Sequence, residues 1–420
     1  MKNHKWHYKT ISELRQAFDE QGYSVPFYDD ISILNEPLTI NGVKISNRIV
    51  YQPMEGGDSH LDGTPGEQTI RRYNDFARGG PGIVWVEAVP VLPEAKSNPR
   101  QLYLHEGNLP AFKAFVEDMR SECYKRNNRD VFIIIQFTHS GRYSRPFGKP
   151  APIAAHHNAY IERGIILDES AIIGDDGLKR FEEAMGNSAA LAEKAGFDGA
   201  DVKCCHGYLV QELLTAYDRP GPYGGSFENR TRCIMNCIRN ARASTGNAFL
   251  ITSRLNMFDG FPHPWGFGAA EDGTPDLAEP LRLVEAMRKD GIILLNLTSG
   301  NPHIFTIISP RDNGPEHPLA GIGRMHCLTG KIKEANKDMI IVSSAYSYLR
   351  EFSAPAAAGS INVGLSDFAG FGRMSFAYPD VARDVIDNKF DTKKACMCCV
   401  NCGYPCRRWT EQNDANIKRI

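Results

Sequence analysis

The 420-residue sequence lacks several features that would assign it to a particular class of protein. Neither charge is in excess, since 48 Lys and Arg side chains oppose 50 Asp and Glu side chains, and the formal net charge is −2. We therefore expect no general attraction to nucleic acid or to an anionic membrane surface. No apolar run approaches the roughly 20 residues needed to span a bilayer, and no internal repeat is present. The N-terminal segment MKNHKWHYKTISELRQ has no apolar core of a secretory signal, so the expected location is the cytoplasm.

Cysteine, in contrast, is plentiful: the chain has eleven, and five of them fall in the segment ACMCCVNCGYPC near the C-terminus. In a long chain without a secretory signal, such a cluster indicates metal binding before disulfides. The spacing Cys396-x2-Cys399-x2-Cys402-x3-Cys406 resembles iron–sulfur binding runs. The same four thiolates fit a zinc site, and an unliganded tail is the third interpretation. The other six cysteines are expected to be small buried residues.

Short apolar segments alternate with longer amphipathic ones along most of the chain, which is the pattern of repeated βα units. Eight strands are predicted, at residues 49–52, 83–86, 132–137, 199–202, 249–255, 292–297, 340–343 and 367–371. Their number and the chain length favour a (β/α)8 TIM barrel, of class α/β. A hairpin around Asn41-Gly42 is expected to plug the bottom of the barrel, because Asn-Gly is a strong turn signal.

The chain is expected to have three parts: an N-terminal capping extension (1–36), the barrel (37–390) and a cysteine-rich tail (391–420). Two connections, 138–177 and 299–330, are too long for simple barrel loops. Both follow predicted strands, so we expect them on the catalytic face as lids or substrate walls.

The most informative segment is GFDGADVKCCHGYLVQELLTAYDRPGPYGGSFENR, at residues 196–230. Within it, a short apolar strand ends in KCCHGY (203–208), so basic, imidazole and phenol groups lie where parallel barrels carry out chemistry. The segment resembles the Old Yellow Enzyme family of flavin-dependent reductases, which typically carry His-x-x-His/Asn-Gly-Tyr-Leu followed by YGGSxENR. Residues 206–209 and 223–230 match this pattern, and Lys203 stands where the family usually has its first histidine.

The resemblance implies that FMN is the cofactor and that residues at the ends of several strands bind it. These positions are Pro53, Met54, Glu55, Ala88, Gln136, Arg254, Ser344, Ala345, Gly372 and Arg373. Gln136 offers a donor and an acceptor to the pyrimidine edge, and the cation of Arg254 suits the anionic reduced flavin. The last four positions would form the phosphate site after strands seven and eight. Glu55 departs from the family's Thr, Cys or Ser, and its carboxylate would lower the flavin potential unless it is protonated or turned away.

The same resemblance implies three catalytic residues. Tyr208 would deliver a proton to the alkene carbon opposite the hydride from flavin N5. His206 and Lys203 would hold the substrate carbonyl oxygen and stabilise the enolate that forms. A structural alternative is that Lys203 forms an ion pair with Glu55 or Asp201.

The resemblance covers about residues 37–406 and implies an FMN-dependent ene-reductase acting on a small unsaturated carbonyl compound. The nearest branch is that of the 2,4-dienoyl-CoA and enoate reductases, which carry a [4Fe-4S] cluster tail followed by FAD and NAD(P)H domains. Electrons are expected from NAD(P)H or from a partner protein, and self-association into a homo-oligomer is left open. Two alternatives remain: a flavin-dependent amine dehydrogenase of the same fold, and an electron-transfer subunit that uses the cysteine tail. The positive charge of Lys203 argues against a cationic amine substrate.

Overall fold

A hairpin precedes the barrel in the computed structural model, which describes residues 5–164, 167–304 and 316–399. Strands β1 (Leu38–Ile40) and β2 (Val43–Ile45) pair antiparallel. Asn41 and Gly42 between them have φ of +48° and +79°, the left-handed conformation that a two-residue turn of this kind requires. Ile40 and Ile45 pack among residues near the N-terminal ends of the barrel strands, including Trp85. The predicted plug is therefore confirmed.

Eight parallel strands close into a barrel in the order β10-β3-β4-β5-β6-β7-β8-β9. They are β3 (Ile49–Tyr51), β4 (Ile83–Pro90), β5 (Phe132–Thr138), β6 (Gly199–Val202), β7 (Leu250–Asn256), β8 (Leu294–Thr298), β9 (Ile340–Ser343) and β10 (Phe368–Phe371). Each coincides with a predicted strand, and the largest difference is at β4, which continues to Pro90 instead of ending at Val86. The (β/α)8 barrel is confirmed.

Helices surround the barrel and bury their apolar faces against it. They are α1 (Ile11–Asp19), α2 (Glu67–Arg78), α3 (Leu109–Asn127), α4 (Ala159–Glu162), α5 (Asp175–Ala195), α6 (Leu209–Leu213), α7 (Phe227–Arg230), α8 (Arg232–Ala243), α9 (Ala278–Lys289), α10 (Pro318–Ala335), α11 (Ser353–Asn362), α12 (Arg373–Ala377) and α13 (Val381–Ile386). In α5, for example, Leu178, Phe181 and Met185 lie on the buried face. Gly196 ends this helix with a φ of +91°, a conformation that favours glycine.

Strand β4 contains a bulge, because its register against β5 shifts between Val86 and Ala88. Trp85 faces the barrel interior, where its indole N–H donates to Asp201. Glu87 contacts Arg72 and Tyr73 of α2, outside the barrel. Ala88 faces the interior again. The bulge therefore lets two residues of the strand occupy the space of one.

Two expectations need correction. The connection predicted at 299–330 is shorter, since α10 begins at Pro318. A proline at the first position of a helix is favourable, because the N–H that it lacks would have no partner there. Cys327, on the same helix, is exposed and not buried as expected. Across the part of the chain that is described, no helix is both long and apolar enough to cross a membrane.

Candidate active site

A cavity of about 330 Å3 opens at the C-terminal ends of the barrel strands. All the sequence-predicted catalytic and FMN-binding residues line it: Pro53, Met54, Glu55, Ala88, Gln136, Lys203, His206, Tyr208, Arg254, Ser344, Ala345, Gly372 and Arg373. The structure thus brings residues from seven strand ends together, while the role of each stays a prediction. A larger cavity of about 920 Å3 lies elsewhere, beside Trp265 and Arg219, and is lined by none of these residues.

A tight turn follows β6 and presents the polar run KCCHGY to the cavity. His206 and Gly207 have φ of +67° and +74°, and the Gly207 N–H donates to Gln211 Oε1 at 2.5 Å. A Cβ on Gly207 would lie 2.1 Å from Asn301 Nδ2, so this position requires glycine. His139 accepts a hydrogen bond from the Gly141 N–H at 3.0 Å. Burial lowers the pKa of His139 to about 3, which fits a neutral brace of the neighbouring loop.

Lys203, Glu55 and Tyr208 form a compact group on one wall of the cavity. Lys203 Nζ lies 3.7 Å from Glu55 Oε1 and 3.7 Å from the centre of the Tyr208 ring. The Tyr208 hydroxyl donates to the same Glu55 Oε1 at 3.3 Å. Burial lowers the pKa of Lys203, and the nearby Glu55 carboxylate opposes that shift. The ammonium is therefore held by a carboxylate and an aromatic face while it still lines the cavity.

The structure distinguishes between the two carboxylates proposed as ion-pair partners of Lys203. Asp201 instead accepts from Gln136 Nε2 at 2.5 Å, from Trp85 Nε1 at 2.9 Å and from the Arg254 backbone N–H at 2.6 Å. Burial raises the pKa of Asp201 to about 6. Its position fixes the Gln136 amide and the Arg254 backbone, and of the two carboxylates considered as partners of Lys203, Glu55 is the one that forms the ion pair.

Two histidines near the ammonium are held neutral. His206 Nε2 lies 3.4 Å from Thr298 Oγ1. Burial, followed by the charges of Arg254 and Lys203, lowers the pKa of His206 well below its ordinary value. Burial and then Lys203 lower the pKa of His303 to about 4. The cavity therefore offers neutral imidazoles beside a single ammonium on this wall.

Arg254 extends from the end of β7 toward the strand that carries Pro53. Its Nη1 is 3.4 Å from the Pro53 carbonyl oxygen, and among the described residues no acceptor lies within hydrogen-bonding distance of its buried Nε. The described residues also include no carboxylate that forms an ion pair with it. A buried cation without an anionic partner fits a cofactor whose reduced form is negatively charged.

Small residues that follow strands β9 and β10 form another part of the cavity wall, where the backbone lies close to neighbouring groups. A Cβ on Gly370 would lie 1.9 Å from Gln52 Nε2, and that amide donates to Ser344 Oγ at 2.9 Å. Ala345 has a φ of +80° at the start of a 3-10 helix. Arg373 begins α12 directly after Gly372. Small residues and one guanidinium in this part of the wall fit a phosphate group.

Several lining or neighbouring residues were not predicted from the sequence, namely Gln52, Ser97, Tyr143, Asn301 and His303. Tyr143 stacks on His303 with ring centres 3.7 Å apart and an interplanar angle of 17°, and Asn301 Nδ2 donates to the Tyr143 hydroxyl at 3.2 Å. Tyr143 comes soon after β5 and His303 soon after β8, so their positions after strand ends were an available signal. Ser97 carries no comparable signal.

The cysteine tail is only partly described. Cys396 is buried and Cys399 is exposed, while Cys402 and Cys406 lie outside the described residues. Cys396 Sγ is 3.9 Å from Cys398 Sγ, and its N–H faces the sulfur of Met374 in α12. Within residues 5–164, 167–304 and 316–399, no three His, Cys, Asp or Glu side chains are grouped as a metal site would need. The tail nevertheless begins next to the part of the cavity that fits phosphate.

A family model described as the NADH:flavin oxidoreductase / NADH oxidase family matches residues 33–390. The chain is similar to a cinnamate reductase of Clostridium sporogenes, with 25% identity over 394 residues that cover 88% of this chain and 55% of that protein. Relatives such as this one are therefore about twice as long.

Solved structures of similar fold support the same architecture. A 2-naphthoyl-CoA reductase superposes with a TM-score of 0.71 and 20% identity, covering 86% of this chain and 53% of that one. A histamine dehydrogenase from Rhizobium sp. 4-9 superposes with a TM-score of 0.68 and 20% identity, covering 90% of this chain and 51% of that one. At this identity the likeness concerns the fold alone.

Proposed function

Because the chain belongs to the NADH:flavin oxidoreductase / NADH oxidase family, it is a flavin-dependent oxidoreductase, and we propose that it reduces a C=C bond conjugated to a carbonyl group. The observation that carries this proposal is the group formed by Lys203 and Tyr208 on one wall of the cavity. Such a reduction requires two groups from the protein: a cation that stabilises the negative charge on the substrate oxygen, and an acid such as a phenol that protonates a substrate carbon.

The residues around the cavity fit FMN. Gln136 would contact the pyrimidine edge, Arg254 would hold the negative charge of the reduced ring, and Ser344, Ala345 and Arg373 would bind the phosphate. When bound, FMN supplies the hydride, and NAD(P)H or an electron-donor protein replenishes it.

Lys203 and His206 would hold the substrate carbonyl oxygen. Negative charge grows on that oxygen as the enolate forms, so a buried ammonium stabilises the transition state more than the neutral ground state. His206 is neutral and donates without adding a second charge. Tyr208 would place a proton on the carbon next to the carbonyl, and the stacked rings of Tyr143 and His303 would limit the access of water.

Tyr208→Phe tests the proposal. The purified protein should contain FMN and, with NADH under anaerobic conditions, reduce at least one of 2-cyclohexen-1-one, trans-cinnamate and cinnamoyl-CoA. The variant should lose roughly 10²-fold or more in alkene reduction, because general acids contribute 10²–10⁴-fold, while NADH still reduces its flavin. Tyr217→Phe is the matched control, since Tyr217 bonds to Glu279 outside the cavity. An effect under about fivefold in Tyr208→Phe would move the proton source to another group.

We further propose that Cys396, Cys399, Cys402 and Cys406 bind a [4Fe-4S] cluster, with zinc as the alternative metal. Hydrogen bonding by Cys398, followed by the charges of Arg373 and Arg350, lowers the pKa of Cys396, and this favours the thiolate that a metal binds. Iron and sulfide analysis of anaerobically purified protein, repeated on Cys396→Ser, distinguishes these interpretations. Zinc in place of iron would reject the cluster, and the absence of both would leave the tail unliganded.

Amine oxidation is the second candidate, and the Glu55 carboxylate in the cavity is the observation that favours it. That carboxylate already faces the Lys203 ammonium, which would repel a cationic amine. Reduction of the bound flavin by histamine or trimethylamine, with no oxidation of reduced flavin by the three alkenes, would reverse the assignment. An electron-transfer subunit predicts that the reduced flavin of the wild type is oxidised by neither the three alkenes nor an amine product.

A further inference from the structure

Glu55 connects the phenol of Tyr208 to the edge of the site. Its Oε1 accepts from the Tyr208 hydroxyl at 3.3 Å, and its Oε2 accepts from Ser97 Oγ at 2.7 Å. Ser97 Oγ in turn accepts from Asn98 Nδ2 at 3.2 Å. Tyr208 is 7% exposed, whereas Ser97 and Asn98 are both half-buried. A continuous row of hydrogen bonds therefore runs from a buried phenol to residues that water can reach.

A buried proton donor needs such a connection once its proton is spent. The Lys203 ammonium lies over the face of the Tyr208 ring, with Nζ 3.7 Å from the ring centre. His303 also lies beside this ring, with ring centres 5.8 Å apart, but burial lowers its pKa to about 4, so it carries no spare proton near neutral pH. The Glu55 carboxylate, in contrast, is a titratable group that accepts a hydrogen bond from the phenol itself.

We propose that Glu55 and Ser97 return a proton from solvent to Tyr208 after each turnover. This inference rests on the proposed alkene reduction. Tyr208 gives its hydroxyl proton to the substrate carbon, so that an O–H bond breaks, a C–H bond forms and a phenolate remains. Ser97 passes its proton to Glu55 Oε2 and takes one from a water molecule, and the hydroxide left behind is protonated by buffer in bulk solvent. The carboxylic acid then turns and gives that proton to the phenolate, which restores the carboxylate and the phenol without any change in oxidation state.

This proton relay, formed by Ser97 and Glu55, affects the rate of later turnovers but not the rate of the first. The first turnover uses the proton already on Tyr208, and later turnovers need the proton to be returned. Glu55→Gln keeps the size and hydrogen bonding of the side chain but cannot carry a proton. The single-turnover rate is measured by mixing photoreduced enzyme with whichever of the three alkenes the wild type reduces fastest. In Glu55→Gln this rate should fall less than about fivefold. The steady-state kcat of the variant should fall on the order of 10- to 100-fold.

Three further proteins complete the experiment. Ser97→Ala leaves the Glu55–Lys203 pair in place and should lower kcat while the first turnover stays fast. Glu55→Ala leaves space for a small acid, and added sodium formate should restore most of its kcat but none of the loss in Tyr208→Phe. Glu182→Gln is the matched control, because Glu182 is a buried glutamate on α5 that bonds to Asn236 outside the site; both of its rates should equal those of the wild type.

The outcomes distinguish the relay from the function on which it rests. If wild-type enzyme reduces none of the three alkenes, the proposed function is wrong and the relay falls with it. If the wild type turns over and Glu55→Gln keeps its kcat, only the relay is wrong. Equal losses in the first turnover and in kcat, or no rescue by formate, would assign Glu55 a structural role and also overturn the relay.

Discussion

Lys203→Met replaces a buried ammonium by an uncharged side chain of similar length and tests the role of the residue that departs from the family pattern. Coulomb's law at an effective dielectric of about 20 gives an attraction of about 4 kcal/mol between unit charges at the 3.7 Å that separates Lys203 Nζ and Glu55 Oε1. Glu55 is 19% exposed, and solvent reduces this value.

An enolate oxygen in contact with the same ammonium would gain a similar energy, and Glu55 already neutralises part of that charge. We therefore expect a net loss of about 3 kcal/mol of transition-state stabilisation in Lys203→Met, which is on the order of 10² in the rate of alkene reduction. Reduction of the flavin by NADH should change little. Lys203→His, which restores the usual family residue, should recover part of the rate.

The assay is stopped-flow oxidation of reduced enzyme by a saturating alkene, expressed per bound FMN so that unfolded protein does not count. Burial holds the pKa of Lys203 below its ordinary 10.5, so the wild-type rate should fall as the pH rises through that lowered pKa. The Lys203→Met rate should lack this fall. Equal rates in the three proteins at equal FMN content would refute the reasoning, and a lower melting temperature with unchanged turnover would make Lys203 a structural partner of Glu55.

Three further predictions concern the cofactor, the hairpin and a buried acid. Arg254→Ala should purify with markedly less FMN than the wild type, as measured by flavin released on heating, because it removes the buried cation that no described carboxylate pairs with. Gly42→Ala should lower the free energy of unfolding in urea titrations by about 1 kcal/mol, since φ is +79° there with no steric obstacle. Burial raises the pKa of Asp259 to about 6 from an ordinary 3.8. The contribution of Asp259 to the free energy of unfolding is therefore complete below a pH of about 3.8 and is lost as the pH rises through 6. Urea titrations at several pH values should show that Asp259→Asn flattens this part of the stability profile.

The fold could be predicted from the sequence because barrel strands are short apolar runs between amphipathic helices. Residues 199–202 and 340–343 match the observed strands residue for residue. The end of β4 could not be predicted, since Glu87 reads as a polar residue that stops a strand. Its charge is instead satisfied by Arg72 at 2.8 Å and by the Gly56 N–H at 2.9 Å, contacts that depend on tertiary structure.

The site could be predicted only as far as strand ends reveal it. Lys203 and Tyr208 follow a strand directly, and the pattern indicated both. The hydrogen bond between Ser97 and Glu55 joins residues 42 positions apart, and no periodicity or motif marks it. Lys203 pairs with Glu55 and not with Asp201 because Asp201 already accepts hydrogen bonds from Gln136, Trp85 and the Arg254 backbone. These contacts depend on the packing of neighbouring strands, which the sequence does not reveal.

The bulge in β4 decides which changes of length that strand can accept. Side chains normally alternate between the two faces of a strand, but Val86 and Glu87 both face away from the barrel interior, between Trp85 and Ala88, which face it. Deletion of Glu87 would therefore restore regular alternation and keep Ala88 in the cavity, whereas deletion of one residue elsewhere in β4 would reverse the faces of the residues on one side of the deletion. Loss of Glu87 would also leave Arg72 with Asp58 as its remaining carboxylate partner. Relatives of this protein should therefore gain or lose a residue of β4 only at the bulge, and together with a change at Arg72.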